Sequence, residues 1–94
     1  MTDTPTAESF TPHIGQTVAL PGGHTLTLVS VDRRSPSEAS TQAPFSLLLR
    51  GAPTPIVPEG MHRLTFADGV SFELYLIPIH TPARGQQDYQ IVFN

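Results

Sequence analysis

The stretch V-S-F-E-L-Y-L-I-P at residues 70–78 decides the fold that this chain can adopt. Its apolar side chains fall at every second position, the period of a β-strand with one buried face: Val70, Phe72, Leu74 and Leu76. Directly before it, Asp68 and Gly69 supply an Asp-Gly pair, a strong short-range signal of a tight hairpin turn. Leu64 and Phe66 precede the turn and face the same core. The sequence therefore predicts a β-hairpin at the centre of the fold.

Five further segments are typical of strands, at residues 16–20, 24–33, 45–50, 59–66 and 89–94. The second of them changes phase, because Leu26 and Leu28 share one face whereas Val29 and Val31 share the other. Such a change requires a bulge or a bend, which we expect near residues 28–30. The segment at 59–66 pairs with 70–78 through the Asp-Gly turn, and we expect 89–94 to pair with 70–78 as well.

Six strands without a helix-length pattern predict an all-β fold, a small six-stranded antiparallel barrel or sandwich. The chain of 94 residues has room for one domain, residues 1–94, whose residues 1–9 we expect to be a loosely ordered N-terminal segment. Within that segment, residues 4–8 could form one helical turn capped by Thr4. Phe10 is expected to anchor the segment to the sheet. The sequence does not decide whether the first strand closes the sheet by pairing with another edge.

The connections lack any hydrophobic period. Residues 35–43 and 79–87 are rich in polar, proline and glycine residues and predict loops, and three prolines within residues 51–58 exclude a ladder strand. The inward positions of the strands define the expected core: Leu26, Leu28, Phe45, Leu47, Leu49, Leu64, Phe66, Phe72, Leu74, Leu76, Tyr89, Ile91 and Phe93.

Composition limits the functional classes. The net charge of −3 gives no electrostatic footprint for nucleic acid, and the absence of lysine removes a Schiff-base amine and a phosphate-loop lysine. The absence of cysteine removes thiol chemistry and thiolate metal ligands. No apolar run approaches the roughly 20 residues that span a bilayer. The polar, acidic start is unlike a secretory signal. We therefore expect a cytoplasmic protein without a membrane anchor, nucleic-acid partner or cofactor.

Residue patterns that carry catalysis are weak in this chain. The four histidines, at positions 13, 24, 62 and 80, are at least eleven residues apart, without the short-spaced pair that usually starts a metal site. A nucleophile elbow and a glycine-rich oxyanion segment are missing. Glu59 and Glu73 could pair across two strands as acid and base, but the polar face is the more common place for them. We predict no catalytic residue and no enzymatic activity.

A more informative signal lies on the outward positions of the strands. Tyr75 and Ile77 of the fifth strand and Val92 of the sixth are expected side by side, with Leu48 outward on the third. In a closed barrel they would form an exposed apolar patch, which on small proteins often marks a partner or a homodimer seam. The competing interpretation is that residues 10–14, or the loop at 51–58, cover these side chains.

With the strands placed, the chain resembles a family of small uncharacterised bacterial all-β domains. The resemblance rests on F-x-P-x-I-G at 10–15, F-S-L at 45–47, E-G-M-H-R-L at 59–64, F-E-L-Y-L-I-P at 72–78 and Y-x-x-V-F-N at 89–94. These motifs cover nearly the whole chain and are mostly apolar and turn residues. Some members are similar to proteins encoded near phage-tail-collar-like proteins, which implies a structural or accessory role. The family has no assigned activity or catalytic residue.

The sequence favours a non-enzymatic protein-interaction or assembly and accessory module, whose partner is another protein or a second copy of the chain. The alternative is a β-barrel that binds a small ligand or a carbohydrate. Sugar binding usually needs exposed aromatic rings, and Tyr75 is the one good candidate outside the expected core. A pocket with convergent polar groups would favour the alternative, whereas a flat apolar patch would favour the interaction module.

Overall fold

Six antiparallel strands close into a barrel in the computed structural model, which describes residues 7–33, 45–79 and 85–93. The elements in chain order are the helical turn α1 (Ala7–Phe10), a 3-10 turn (Thr11–His13), β1 (Thr17–Ala19), a second 3-10 turn (Pro21–Gly23), β2 (Thr25–Arg33), β3 (Phe45–Gly51), β4 (Gly60–Thr65), β5 (Ser71–Ile79) and β6 (Gln87–Phe93). Around the barrel the order is β1-β2-β3-β6-β5-β4, and one pair, Ala19 with Thr65, joins β1 to β4. The fold is therefore a barrel rather than an open sandwich.

The predicted central hairpin is confirmed. β4 and β5 pair from Thr65 opposite Ser71 to Gly60 opposite Leu76. In the turn, the Asp68 carboxylate accepts the backbone N–H of Val70 at 3.0 Å, and Gly69 has a φ of +88°, a left-handed conformation that glycine adopts without a steric penalty. Val70 was expected to begin the inward set, and that was wrong. It belongs to the turn and is exposed, because the alternation that faces the core starts at Phe72.

The predicted bulge in the second strand is also confirmed. The register between β2 and β3 shifts between Leu28 and Ser30, so that Val29 is the extra residue. After the shift, Ser30 lies opposite Leu48 and Val31 opposite Leu47. The bulge thus turns Ser30 to the outside of the barrel and Val31 towards the core.

The core contains every residue expected from the strand pattern, with Phe72 and Phe93 partly buried at its end. It also takes in residues outside the predicted set: Ala7, Phe10, Val18, Leu20 and Val57. Phe10 is fully buried, and its ring centre lies 5.3–6.0 Å from those of four other phenylalanines: Phe45, Phe66, Phe72 and Phe93. The anchor expected at Phe10 is confirmed, and it packs inside the barrel end rather than over the sheet's outer surface.

Several expectations fall outside the described residues. These are the loop at 35–43, most of the loop at 79–87, the outward position of Asn94 and residues 4–6 of the expected helical turn. The loose order of residues 1–9 stays a prediction, since residues 1–6 are not described and α1 begins at Ala7. No helix in the described parts of the chain is long and apolar enough to cross a membrane.

Candidate interaction face on the outside of the barrel

The four predicted patch residues lie on three neighbouring strands, β3, β6 and β5. Leu48 is opposite Gln90, and Gln90 is opposite Ile77, so these three residues form one row across the outer surface. Ile77, which was expected beside Val92, instead lies beside Gln90. Val92 lies opposite Ser46, one row further along β6. The same β5–β6 register, continued past Ile77 and Gln90, would place Tyr75 opposite Val92.

The open part of this face is built around Tyr75 and Val92. Their side chains are 47% and 42% exposed, whereas Leu48 and Ile77 are half-buried. Tyr75 and Val92 are not covered by residues 10–14, because Phe10 is buried inside the barrel. In the loop at 51–58, Val57 turns inward, and its N–H donates to the Tyr89 hydroxyl at 2.9 Å. Tyr75 and Val92 therefore lie open on the outer surface.

Met61 extends the face onto β4 and was missed by the sequence reasoning. It lies directly opposite Tyr75 in the hairpin and is 61% exposed. The signal that could have found it was available, because the Asp-Gly turn sets the register that places residue 61 opposite residue 75. We call the set Leu48, Met61, Tyr75, Ile77 and Val92 the outer patch.

A hydrogen bond fixes the orientation of the Tyr75 ring. Its hydroxyl donates to Oε2 of Glu59 at 2.6 Å. The same bond raises the pKa of the Tyr75 phenol above its ordinary value of 10.0, because the neighbouring carboxylate favours the protonated hydroxyl. Glu73 instead accepts a hydrogen bond from Arg63 at 3.3 Å. The two carboxylates are both exposed and bind different partners, so the acid–base pair considered for Glu59 and Glu73 is not formed.

We expect the substitution Glu59→Gln to lower the pKa of Tyr75 towards 10.0, because the negative acceptor is replaced by a neutral amide. Because folding raises the pKa of the Tyr75 phenol, the interaction stabilises the fold fully at pH values below the pKa of the phenol in the unfolded chain. This stabilisation is lost as the pH rises through the pKa of the phenol in the folded protein. The measurement is a pH titration of the ring carbons of ¹³C-labelled tyrosine by NMR. Glu73→Gln, on the same strand as Tyr75, is the matched control. Superimposable titration curves for the wild type and Glu59→Gln would contradict this assignment.

An ion pair borders the face in the neighbouring row. Arg50 of β3 lies opposite Asp88 of β6, and its Nε donates to Oδ1 of Asp88 at 2.8 Å. This hydrogen bond raises the pKa of the Arg50 guanidinium. The pair ties β3 to β6 beside the row of Leu48 and Gln90, and it keeps that edge of the outer patch polar.

The histidines are placed in separate surroundings. His13 is near Asp68 and Gln16, with Nε2 3.4 Å from Oδ2 of Asp68 and Nδ1 3.1 Å from Oε1 of Gln16. It thereby joins the segment after α1 to the hairpin turn. Nε2 of His62 is 2.7 Å from the backbone oxygen of Pro58. In the described ranges, no three or more histidine, aspartate or glutamate side chains are grouped to hold a metal ion, and His80 lies outside them.

The barrel interior is filled by side chains, and the cavities that the described residues line include one at the barrel end and others on the surface. One cavity of about 180 Å³ opens at the barrel end beside His24, Thr54 and Pro55, above the buried ring of Tyr89. Ligand pockets for small molecules usually measure roughly 300–1,000 Å³. A second, wide depression of about 510 Å³ lies between His13 and Asp68. Its volume falls within that range, but the depression is widely open to solvent rather than enclosed.

Neither the curated proteins nor the solved structures include a match. One family model does match, over residues 5–93, which is almost the entire chain. On that match, the chain belongs to the family described as Domain of unknown function (DUF6916).

Proposed function

We propose that this protein is a non-enzymatic interaction or assembly module, and that it binds a partner protein through the outer patch. One observation carries the proposal: a tyrosine, a methionine and a valine lie exposed on adjacent strands, at positions 75, 61 and 92. Aromatic residues and methionine are enriched in protein–protein interfaces, and large aromatic side chains dominate binding energy there. The hydrogen bond from Tyr75 to Glu59 holds the ring in one orientation, which lowers the entropy that binding would cost.

Because side chains fill the barrel interior, binding of a partner to the outer surface is favoured over binding of a ligand inside the barrel. The core side chains of all six strands occupy the barrel centre. A lipocalin-like ligand barrel needs an internal cavity, and the end cavity of about 180 Å³ lies below the usual size for a small-molecule site. The ligand- or carbohydrate-binding barrel is therefore the second choice. The cytoplasmic location, the bacterial origin and the association with phage-tail-collar-like proteins stay predictions.

The size of the patch sets what the partner must supply. A standard interface buries about 800 Å² on each side. Five partly exposed side chains provide only the apolar centre of such an area, and a polar rim would have to surround it. Arg63, Glu73 and Gln90 lie on the same strands beside the outer patch and would belong to this rim.

The test replaces Tyr75 with serine and Ile77 with threonine in one variant. The matched control is Thr17→Ala with Thr25→Ala. Both residues are exposed and lie on β1 and β2, and β1 is opposite β6 in the barrel order. Proteins captured from the native cell are quantified by mass spectrometry, and the molar mass of each purified variant is measured by light scattering. We expect the patch variant alone to lose a captured partner, or to lose a dimer that wild type and control both form.

Two results would contradict the proposal. The first is the same set of captured proteins for wild type, control and patch variant, combined with a monomeric mass for all three. The second is a loss of partner that the control variant shows to the same degree. Circular dichroism of each variant checks that the barrel is intact, so that loss of binding is not loss of folding.

A further inference from the structure

A cleft of about 260 Å³, lined by both polar and apolar residues, adjoins the outer patch where β2, β3 and β6 run side by side. Its walls include Ser30 and Asp32 of β2, Ser46 and Leu48 of β3, and Gln90 of β6. The bulge between Leu28 and Ser30 brings the two β2 residues to the outside, opposite Leu48 and Ser46. Leu48 belongs to both the cleft and the outer patch, so the two features form one continuous surface.

Ser46 has an unusual place in this cleft. The alternation of β3 puts it on the outer face, opposite Asp32 on one side and Val92 on the other. Only 5% of its surface is exposed, although it faces outward. It is one of the residues that line the cleft. No buried side-chain nitrogen or oxygen atom of the described residues lacks a hydrogen-bond partner, so the Ser46 hydroxyl is not an orphaned buried group.

The other polar side chains of the cleft are accessible to a ligand. Ser30 and Gln90 are half-buried and Asp32 is exposed, and no side-chain hydrogen bond or ion pair holds them in the part of the chain that the structure describes. The arginines of that part bind elsewhere: Arg33 pairs with Glu8, Arg50 with Asp88 and Arg63 with Glu73. Asp32 therefore has no neutralising cation among the described residues. The cleft offers a carboxylate, two hydroxyls and an amide oxygen as acceptors.

We propose that this cleft binds one arginine side chain of the partner protein whose apolar residues pack on the outer patch. The inference rests on the proposed function and names the chemistry of the partner. A guanidinium has five N–H donors in a planar fork and no acceptor, which matches a set of acceptors around one carboxylate. Leu48 provides an apolar wall for the arginine stem. A volume of about 260 Å³ suits a single side chain rather than a drug-sized ligand.

Charge supports the same occupant. The chain has a net charge of −3, and it contains no lysine that could compete for the cleft from within. A partner that presents a basic side chain would approach this surface faster and in a defined orientation. An acidic or phosphorylated segment would instead face the carboxylate of Asp32 without a cation in the described residues to receive it.

The experiment titrates the ¹⁵N-labelled full chain with N-acetyl-L-argininamide and follows backbone amide shifts by NMR. We expect saturable shifts that centre on residues 30, 32, 46 and 90, with a dissociation constant in the millimolar range, on the order of 1–10 mM for one side chain. Asp32→Asn should weaken this binding about ten-fold or more, because a charge-assisted pair becomes a neutral one. N-acetyl-L-norleucinamide, which has a similar apolar stem and no charge, should give no saturable shift.

Three results would overturn the inference: no saturable shift with N-acetyl-L-argininamide, equal affinity in the Asp32→Asn variant, or the same shifts with the norleucine probe. The spectrum of Asp32→Asn before titration shows whether the barrel is folded, and Ser46→Ala offers a second variant in the cleft. The proposed function is tested separately. If capture of the partner depends on Tyr75 and Ile77 but is unchanged by Asp32→Asn, the interaction module stands and the arginine cleft is wrong.

Discussion

Replacing Phe10 with alanine is expected to lower the free energy of unfolding by about 3–5 kcal/mol. The ring is fully buried at the end of the barrel, between four other phenylalanine rings that would be left around a cavity. Small domains have unfolding free energies of about 5–15 kcal/mol, so this one change could consume most of the stability of the chain. The measurement is urea denaturation followed by circular dichroism.

Val70→Ala is the matched control for Phe10→Ala. It also removes an apolar side chain, but Val70 is exposed in the hairpin turn, and we expect a change within about 0.5 kcal/mol. A loss of less than about 1 kcal/mol for Phe10→Ala would show that the barrel end packs well without this ring. The segment before β1 would then be an accessory to the fold instead of a part of its core.

Deleting residues 89–94 is expected to abolish cooperative folding. β6 lies between β3 and β5, so its loss opens the barrel and leaves two long edges without a partner. The deletion also removes the buried side chains of Tyr89 and Ile91, and with Tyr89 the hydroxyl that accepts the Val57 N–H. We expect no sigmoidal thermal transition by circular dichroism and no dispersed NMR spectrum.

Removal of residue 94 alone is the control for this deletion, because β6 ends at Phe93. That shorter truncation should melt cooperatively, close to the temperature of the full chain. If the protein without residues 89–94 also melted cooperatively at a similar temperature, β6 would not be an essential part of the barrel, and the placement of its side chains in the core would be wrong.

The hairpin and the bulge could be predicted because their signals are local. Asp68 and Gly69 determine a tight turn by their own backbone preferences, and the phase change after Leu28 is visible within one strand. Barrel closure could not be predicted in this way. It depends on the contact of Ala19 with Thr65, which are far apart in the chain, and β1 has only three residues to show a period.

The candidate site likewise has a part that could be predicted from the sequence and a part that could not. Tyr75 and Val92 are open because their strands alternate in a simple way, and this could be read from the sequence. Met61 was hidden by its polar neighbours His62 and Arg63, which weaken the pattern of β4. The burial of Ser46 could not be predicted from its outward position, because it depends on which residues of β2 and β6 the bulge and the register bring beside it.

The central claim is that a partner protein contacts the outer patch, and site-specific photocrosslinking in the native cell tests it most directly. The photoreactive residue p-benzoylphenylalanine is placed at position 75 or 92, on the outer patch, or at the exposed position 25, at the start of β2, which lies opposite β5 in the barrel order. We predict a discrete higher-mass adduct from positions 75 and 92 and none from position 25. Absence of an adduct at the two patch positions, or equal adducts from all three, would contradict the account.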